Sequence, residues 1–265
     1  MELLKDVREM GQELIAYRGL LYEMTRRDLL LRYKQTAMGF AWAIFMPLIN
    51  TAVFYVIFVR VAKIDVGVPY ALFAFSGLTV WNFFASSLKF ALPSLTSNLV
   101  LVTKVYFPRE VFPFSTTLVC LVDFAVAAVA LVVLMIYYRV GITPAILYLP
   151  IVLLVHVIFT LGVALLVAMA NLFYRDVKYI FEILLTVWMF ATSVLYPLNQ
   201  LTGKLRLVTQ LNPMTPIVEA YRDVLLFGRS PLTPIFLATA AVSVAVFFVS
   251  WLSFHRAEYE FAESV

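Results

Sequence analysis

Long runs of apolar residues with few or no charges dominate this sequence. They cover residues 37–59, 66–88, 111–138 (interrupted by Asp123), the later part of 140–174, about 178–197 (which includes Glu182) and 230–254. A membrane-spanning helix needs roughly 20 such residues, and its backbone polar groups must be satisfied within the segment. The pattern therefore predicts an all-α, polytopic membrane protein with six transmembrane helices.

The composition excludes an ordinary soluble domain. Only 14% of the residues are charged and the mean hydropathy is +0.93, whereas soluble domains carry about 25% charged residues. A single cysteine, Cys120, and two histidines exclude a disulfide framework and a cysteine- or histidine-rich metal centre. We therefore predict no metal site in this chain.

The net charge of +4 belongs to cations that lie beside apolar runs. Anionic lipid headgroups attract such juxtamembrane cations. Membrane lipids, rather than nucleic acid, are therefore the expected partners of the basic segments.

Residues 1–36 form a charged first segment, and residues 37–265 form the membrane domain. In a helical projection, one side of residues 14–31 is apolar, and Asp28 and Arg32 interrupt it. A basic amphipathic helix before a span is typical of the membrane interface, although an ordinary solvated helix is the alternative. The apolar side consists of Leu14, Tyr17, Leu20, Leu21, Met24 and Leu31, and the interface cations are Arg26, Arg27, Arg32 and Lys34.

The distribution of lysine and arginine predicts the orientation. With the N-terminus inside, more of them flank the inner ends of the spans than the outer ends. Acidic residues also favour the inner side, but they contribute little to this rule. Both termini are therefore predicted to be cytoplasmic.

Two connections are longer than simple turns. Residues 94–110 would be cytoplasmic, and Leu95, Leu99, Val102 and Tyr106 recur there at helical spacing. Residues 198–229 would be outside and are too short for two more spans. Short re-entrant helices are predicted there, since non-spanning backbone at membrane depth is tolerated when it is buried in protein.

No recognisable catalytic or nucleotide-binding motif occurs in the sequence. It lacks G-x-x-x-x-G-K-[ST], H-E-x-x-H and G-x-S-x-G. We therefore predict a protein that is not an enzyme and holds no cofactor of its own. An intramembrane enzyme of glycan or lipid assembly is a less favoured alternative.

Polar residues inside spans are costly and frequently functional. Asp123 is the main candidate, either as an interhelical hydrogen-bond partner or as a polar residue that lines a pore. Glu182 and His156 are interpreted as structural, with Glu182 placed to pair with Lys178 one turn earlier.

Aromatic residues make up 15% of the chain. Most aromatic side chains in spans face lipid or the interface, but aromatic faces also stack on sugar rings. Composition does not distinguish these roles.

Five segments, in order along the chain, resemble the permease subunits of ABC exporters for bacterial O-antigen, teichoic acid and capsule. They are RDLLLRYKQTAMGFAWAIFMPL (28–48), NLVLVTKVYFPREVFP (98–113), FYRDVKYI (173–180), ATSVLYPL (191–198) and LNPMTPIVEAYRDVLLFG (211–228).

The resemblance implies a homodimeric permease in the bacterial plasma (inner) membrane. A separate ATPase subunit, which holds ATP and Mg, would drive export of a polysaccharide linked to undecaprenyl pyrophosphate. An exporter of a lipid or a small drug-like molecule is the nearest alternative.

The same resemblance assigns roles to individual segments. Spans one and five would line the conduit, the 94–110 loop would couple to the ATPase, and the 198–229 loop would form the outer gate. The candidate residues are Trp42, Tyr55, Phe58, Trp188, Phe190 and Tyr196 for the conduit, Val102, Lys104, Tyr106, Arg109 and Glu110 for coupling, and Glu219 and Arg222 for the gate.

Overall fold

The computed structural model describes residues 2–34, 39, 41–61, 66–104, 107–174 and 176–261, with backbone only at 2–8, 60–61 and 259–261. The described part of the chain is helical and contains no strand. Its α-helices are α1 (Glu2–Ala16), α2 (Arg18–Tyr33), α3 (Ala41–Tyr55), α4 (Tyr70–Ala91), α5 (Leu99–Lys104), α6 (Val111–Tyr137), α7 (Leu149–Phe173), α8 (Val177–Phe190), α9 (Gly203–Leu211), α10 (Met214–Leu225) and α11 (Pro234–Phe261).

Five helical segments of the described chain are long and apolar enough to cross a membrane. They are Ala41–Val59, Tyr70–Ala91, Val111–Tyr137, Pro144–Phe173 and Pro234–Glu258. The first continues α3 into a π-helical turn, and the fourth includes a 3₁₀ turn before α7. The predicted all-α, polytopic membrane class is confirmed.

The predicted fifth span differs from the expectation. Its helix, α8, has 14 residues, or about 21 Å at roughly 1.5 Å per residue, and a bilayer core measures about 30 Å. The helix ends at Phe190, and residues 191–196 form turns in which Thr192 and Val194 are fully buried. The apolar run therefore continues as buried turns rather than as helix.

Helix α4 lies at the centre of the bundle. Along most of its length its side chains are buried, with Phe75, Phe84 and Leu88 fully inaccessible. It packs against α3, α6, α7, α8 and α10. In contrast, α3 buries only Pro47 and Thr51.

Helices α7 and α11 form the most extensive helix pair among the described elements. Gly162 of α7 allows this approach, because a Cβ atom there would lie 2.9 Å from the Cα of Phe247 on α11. The two backbones are therefore in direct contact, which only a residue without a side chain permits.

The segments predicted to be cytoplasmic meet at one end of the bundle. Met10 of α1, Met24 of α2, Val102 of α5 and Phe254 of α11 belong to one buried cluster. Leu14, Tyr17, Leu20 and Leu21 of the predicted apolar side also pack on it.

The N-terminal segment departs from the prediction in two details. The chain bends at Tyr17, so that two helices replace one continuous helix. Leu31 is 70% exposed and does not belong to this cluster, whereas Asp28 and Arg32, which interrupt the apolar side, face α6.

Candidate functional site

Asp123 lies on α6 and is paired with two residues from the end of α2. The Arg32 guanidinium donates to Asp123 Oδ2 at 2.5 Å, and the Tyr33 hydroxyl donates to Oδ1. The guanidinium also lies 3.9 Å from the centre of the Phe90 ring. Burial, followed by the hydrogen bond to Asp123, raises the pKa of Tyr33. The carboxylate is thus both charge-paired and hydrogen-bonded, as a charged group at membrane depth requires.

The same carboxylate lines a cavity of about 510 Å³ bounded by α2, α3, α4 and α6. Asp123 is therefore an interhelical partner that also lines a cavity of the single chain, and its role as a pore-lining residue stays a prediction. The cavity is also lined by Arg32, Trp42, Asn50, Thr79 and Asn82.

The other candidate conduit aromatics occupy different places. Tyr55 and Phe58 contact Tyr70 of α4, with ring centres 6.4 and 5.9 Å apart. The Trp188 indole donates to Asn212 Oδ1 at 2.8 Å. Trp42 is the candidate aromatic that shares a cavity with Asp123.

Phe190 and Tyr196 flank the start and end of the turns after α8. Phe190 is 54% exposed, and the Tyr196 hydroxyl donates to the Phe190 carbonyl at 2.9 Å. Neither residue lines the cavity that contains Trp42. Their place on the conduit stays a prediction.

The candidate coupling segment is tied to the end of α11. The Arg109 guanidinium donates to the Glu258 carbonyl at 2.6 Å and to the Val102 carbonyl at 3.1 Å. Glu110 is 2% exposed and lies 3.3 Å from His255 Nδ1. Arg109 and Glu110 thus hold the segment in place, whereas Lys104 is exposed.

Within this segment Val102 is fully buried, and Tyr106 lies outside the described residues. Glu110, His255 and Glu258 bring potential metal-ligand atoms within 4.8 Å of one another. The Arg109 guanidinium, however, lies 3.4 Å from Glu258 Oε1. A cation already occupies that side of the cluster.

The candidate outer gate is built around Arg222 of α10, which is fully buried. Its guanidinium donates to the carbonyls of Ser193 and Val194, both at 2.6 Å, and to that of Phe73 at 3.2 Å. Glu219 accepts from Arg222 at 2.9 Å and from the Ser193 hydroxyl at 2.8 Å. This Arg222 cluster fastens the turns after α8 to α4 and α10.

The remaining polar candidates have local roles. His156 is completely buried, and its Nδ1 lies 3.4 Å from the Tyr221 hydroxyl. Glu182 is exposed, and the Lys178 ammonium lies 4.7 Å from the centre of the Tyr179 ring.

The interface cations of α2 differ in their surroundings. Arg27 donates to Asp28 at 2.8 Å, and Arg26 forms an exposed pair with Glu23 at 3.7 Å. Lys34 is exposed. Among the described residues, Arg32 is the one of the four with an ion pair to a membrane helix, and its signal in the sequence is its interruption of the apolar side.

Comparison with known proteins places the chain in a transporter family. Residues 19–226 match the model of the ABC-2 type transporter family. The chain belongs to that family.

Named relatives are similar along nearly the whole chain. An "O-antigen export system permease protein RfbA" from Myxococcus xanthus is 32% identical over 256 residues, covering 96% of this chain and 98% of the relative. Two proteins of the same name from Klebsiella pneumoniae are 29% and 28% identical over 248 residues, covering 92% of this chain and 94% of each relative.

These comparisons confirm the resemblance to exporter permeases. They also confirm that the chain is a transport subunit and not an enzyme. Family membership, together with the apolar helices, makes it a multi-pass membrane protein that works with an ATP-binding cassette partner.

Proposed function

We propose that this chain is the membrane subunit of an ATP-driven exporter that moves a lipid-linked polysaccharide across the bacterial plasma membrane. The observation that carries the proposal is the 28–32% identity to O-antigen export permeases over at least 92% of the chain. The proposed substrate is a glycan on undecaprenyl pyrophosphate. Two copies of the chain form the conduit, and both termini are cytoplasmic.

The energy comes from ATP and Mg bound to a separate ATPase subunit. The sequence contains no P-loop motif, which supports ATP binding by a separate subunit. ATP binding would draw the two ATPase subunits together and displace the 94–110 segment. Because Arg109 and Glu110 connect this segment to α11, a displacement there reaches the membrane helices directly.

The test is complementation of a bacterial strain that lacks its own O-antigen permease. The permease is expressed with its partner ATPase, and surface glycan is measured by gel and antibody. Restored surface glycan, together with ATPase activity of the purified complex stimulated by lipid-linked glycan, is the expected result.

Two outcomes would contradict the proposal. Stimulation by phospholipid or by a small amphiphile, with no response to lipid-linked glycan, would assign the chain to lipid or drug export. An ATPase rate that does not change when the permease is present would remove the proposed coupling.

A further inference from the structure

The cavity that contains Asp123 has more polar groups than its neighbours satisfy. Thr79 is 2% exposed, and its hydroxyl has no hydrogen-bond partner within the described structure. The Asn82 amide, which is partly buried, and the Asn50 amide, which is exposed, also line the cavity, and neither has a side-chain hydrogen bond to another described residue. These groups lie on helices long and apolar enough to cross a membrane.

A helix irregularity adds a backbone acceptor to the same wall. Pro47 lies inside α3, and Pro47 and Ala43 both line the cavity. Proline has no N–H, so the helical hydrogen bond to the carbonyl four residues earlier is missing. The Ala43 carbonyl is therefore left without its usual helical donor.

A dry cavity with this lining would be costly, because unpaired polar groups at membrane depth each carry a desolvation penalty. A polar occupant relieves that cost. At about 510 Å³, the cavity lies within the range of small-molecule sites, roughly 300–1,000 Å³.

The charges favour a neutral occupant. Arg32 is the cation that lines the cavity, and Asp123 already pairs with it at 2.5 Å. A phosphate group would have to compete with that carboxylate. A hydroxyl group would not, since a carboxylate has about four acceptor positions and Arg32 and Tyr33 occupy one on each oxygen.

Trp42 supplies an aromatic surface beside these polar groups. It is 39% exposed, and its ring is held edge-to-face by Phe45, with centres 5.7 Å apart. Planar amides, a carboxylate and an indole together suit a ring with many hydroxyls and an apolar C–H face.

We propose that this cavity binds one neutral sugar residue of the exported glycan. Asp123, Asn50 and Asn82 would bond its hydroxyl groups, and Trp42 would stack on its ring. The inference rests on the proposed function and adds to it a sugar-binding site within each single chain.

Saturation-transfer NMR on the full-length permease in lipid nanodiscs tests this site. The probes are methyl glycosides of glucose, mannose, galactose and rhamnose, and the repeat oligosaccharide released by mild acid from the glycan that the host exports. Asn82→Leu keeps the side-chain volume and removes the hydrogen bonds. We expect it to weaken binding about tenfold, the effect of a buried hydrogen bond. Trp42→Leu should reduce binding similarly.

Matched controls separate the site from general effects. Asn199→Leu changes an exposed asparagine outside the cavity, and Phe248→Leu changes an aromatic residue on α11 that is 43% exposed. Both should bind as the wild type does. Inorganic pyrophosphate should not displace the sugar.

The outcomes distinguish this inference from the function on which it rests. If the wild type restores surface glycan but no probe binds, or Asn82→Leu and Trp42→Leu bind as the controls do, the sugar site is wrong and the exporter assignment stands. Displacement by pyrophosphate would show an anion site instead. If the wild type restores no glycan, the exporter assignment itself fails.

Discussion

Arg222 shows how one buried residue can determine the path of the chain. A guanidinium with no exposed surface is tolerated here because carbonyl groups of three different residues and the Glu219 carboxylate accept its hydrogen bonds. It also lies 3.5 Å from the centre of the Phe73 ring. Arg222 is therefore a central anchor of the turns after α8.

Gly77 of α4 makes room for the Arg222 cluster. A Cβ atom at this position would lie 2.5 Å from Arg222 Nη2 and 2.5 Å from the Val194 carbonyl oxygen. We expect Gly77→Ala to destabilise the protein by about 1–3 kcal/mol, as overpacking does, and to lower the thermal midpoint of the purified permease. Gly19→Ala on α2, where no atom lies within 4 Å, is the control and should be neutral or stabilising. Equal midpoints for the two variants would show that the cluster adjusts freely.

We predict that the stability of the folded protein depends on pH through Asp223. Burial, and then the nearby Glu219, raise the pKa of this carboxyl from 3.8 to about 6. Because the folded-state pKa lies above the unfolded value, the folded protein binds the proton more tightly. The contribution of Asp223 to stability is therefore fully present below about pH 4 and is lost as the pH rises through 6.

The variant Asp223→Asn should remove this dependence. Its thermal midpoint should exceed that of the wild type at pH 8, and the difference should shrink at pH 4.5. Asp176→Asn, at an exposed position before α8, is the control and should follow the wild type at both values. A constant difference between Asp223→Asn and the wild type would contradict the assignment.

Sequence reasoning identified Asp123 but not its partner. The helical projection shows Arg32 as an interruption of the apolar side, because a projection of one helix contains no neighbour. In the structure, Arg32 faces α6 and pairs with Asp123. A charge that interrupts an apolar face, and a charge inside a span, are together the signal that such a pair exists.

At the scale of elements, the segment between α4 and α6 is anchored rather than free. Val102 and Leu95 are fully buried in the cluster at that end of the bundle. Arg109 and Glu110 fasten its last residues to α11. Its exposed residues, including Lys104, are those that would meet the ATPase in the proposed complex.

We expect the double variant Arg109→Ala/Glu110→Ala to abolish glycan export because the segment loses its connection to α11. Membrane insertion, measured by membrane fractionation, and dimer formation, measured by cross-linking, should be unchanged. Arg206→Ala on α9, an exposed cation on a different helix, serves as the control and should export normally. Normal export by the double variant would remove the coupling role of these residues.

The lengths of the elements could be predicted from the sequence where one helix fills one apolar run. The length of the fifth predicted span could not be predicted in this way. Residues 183–197 are all uncharged, but the helix ends at Phe190. The turns that follow are held by Arg222 and by the Tyr70 hydroxyl, which donates to the Leu195 carbonyl at 2.9 Å. These partners are distant in sequence, so no local pattern reports them.

At the scale of the whole molecule, the proposed conduit requires two copies of the chain. Most of α3 is exposed in the single chain, including Phe45, Met46 and Val53. In the proposed homodimer this surface meets lipid, the partner or the substrate. Composition does not distinguish these three environments, which is why the aromatic conduit remains a prediction.

Translocation measurements separate these environments. We expect Trp42→Ala and Phe190→Ala each to reduce glycan export more than Phe248→Ala, because the first two residues are candidates for the proposed conduit and the third lies on α11. Surface glycan at matched expression level is the measurement. Equal effects of all three variants would count against a path lined by aromatic rings.

The contact at Gly162 has a mechanical consequence. Two backbones in direct contact cannot slide past each other without separating. We therefore expect α7 and α11 to move as one rigid unit. The 94–110 segment is bound to this rigid unit through α11, whereas α3 is held to the rest of the chain by few buried side chains. We therefore expect α7 and α11 to transmit the movement of the ATPase without bending. The helix α3, which lacks one backbone hydrogen bond at Pro47, should bend instead.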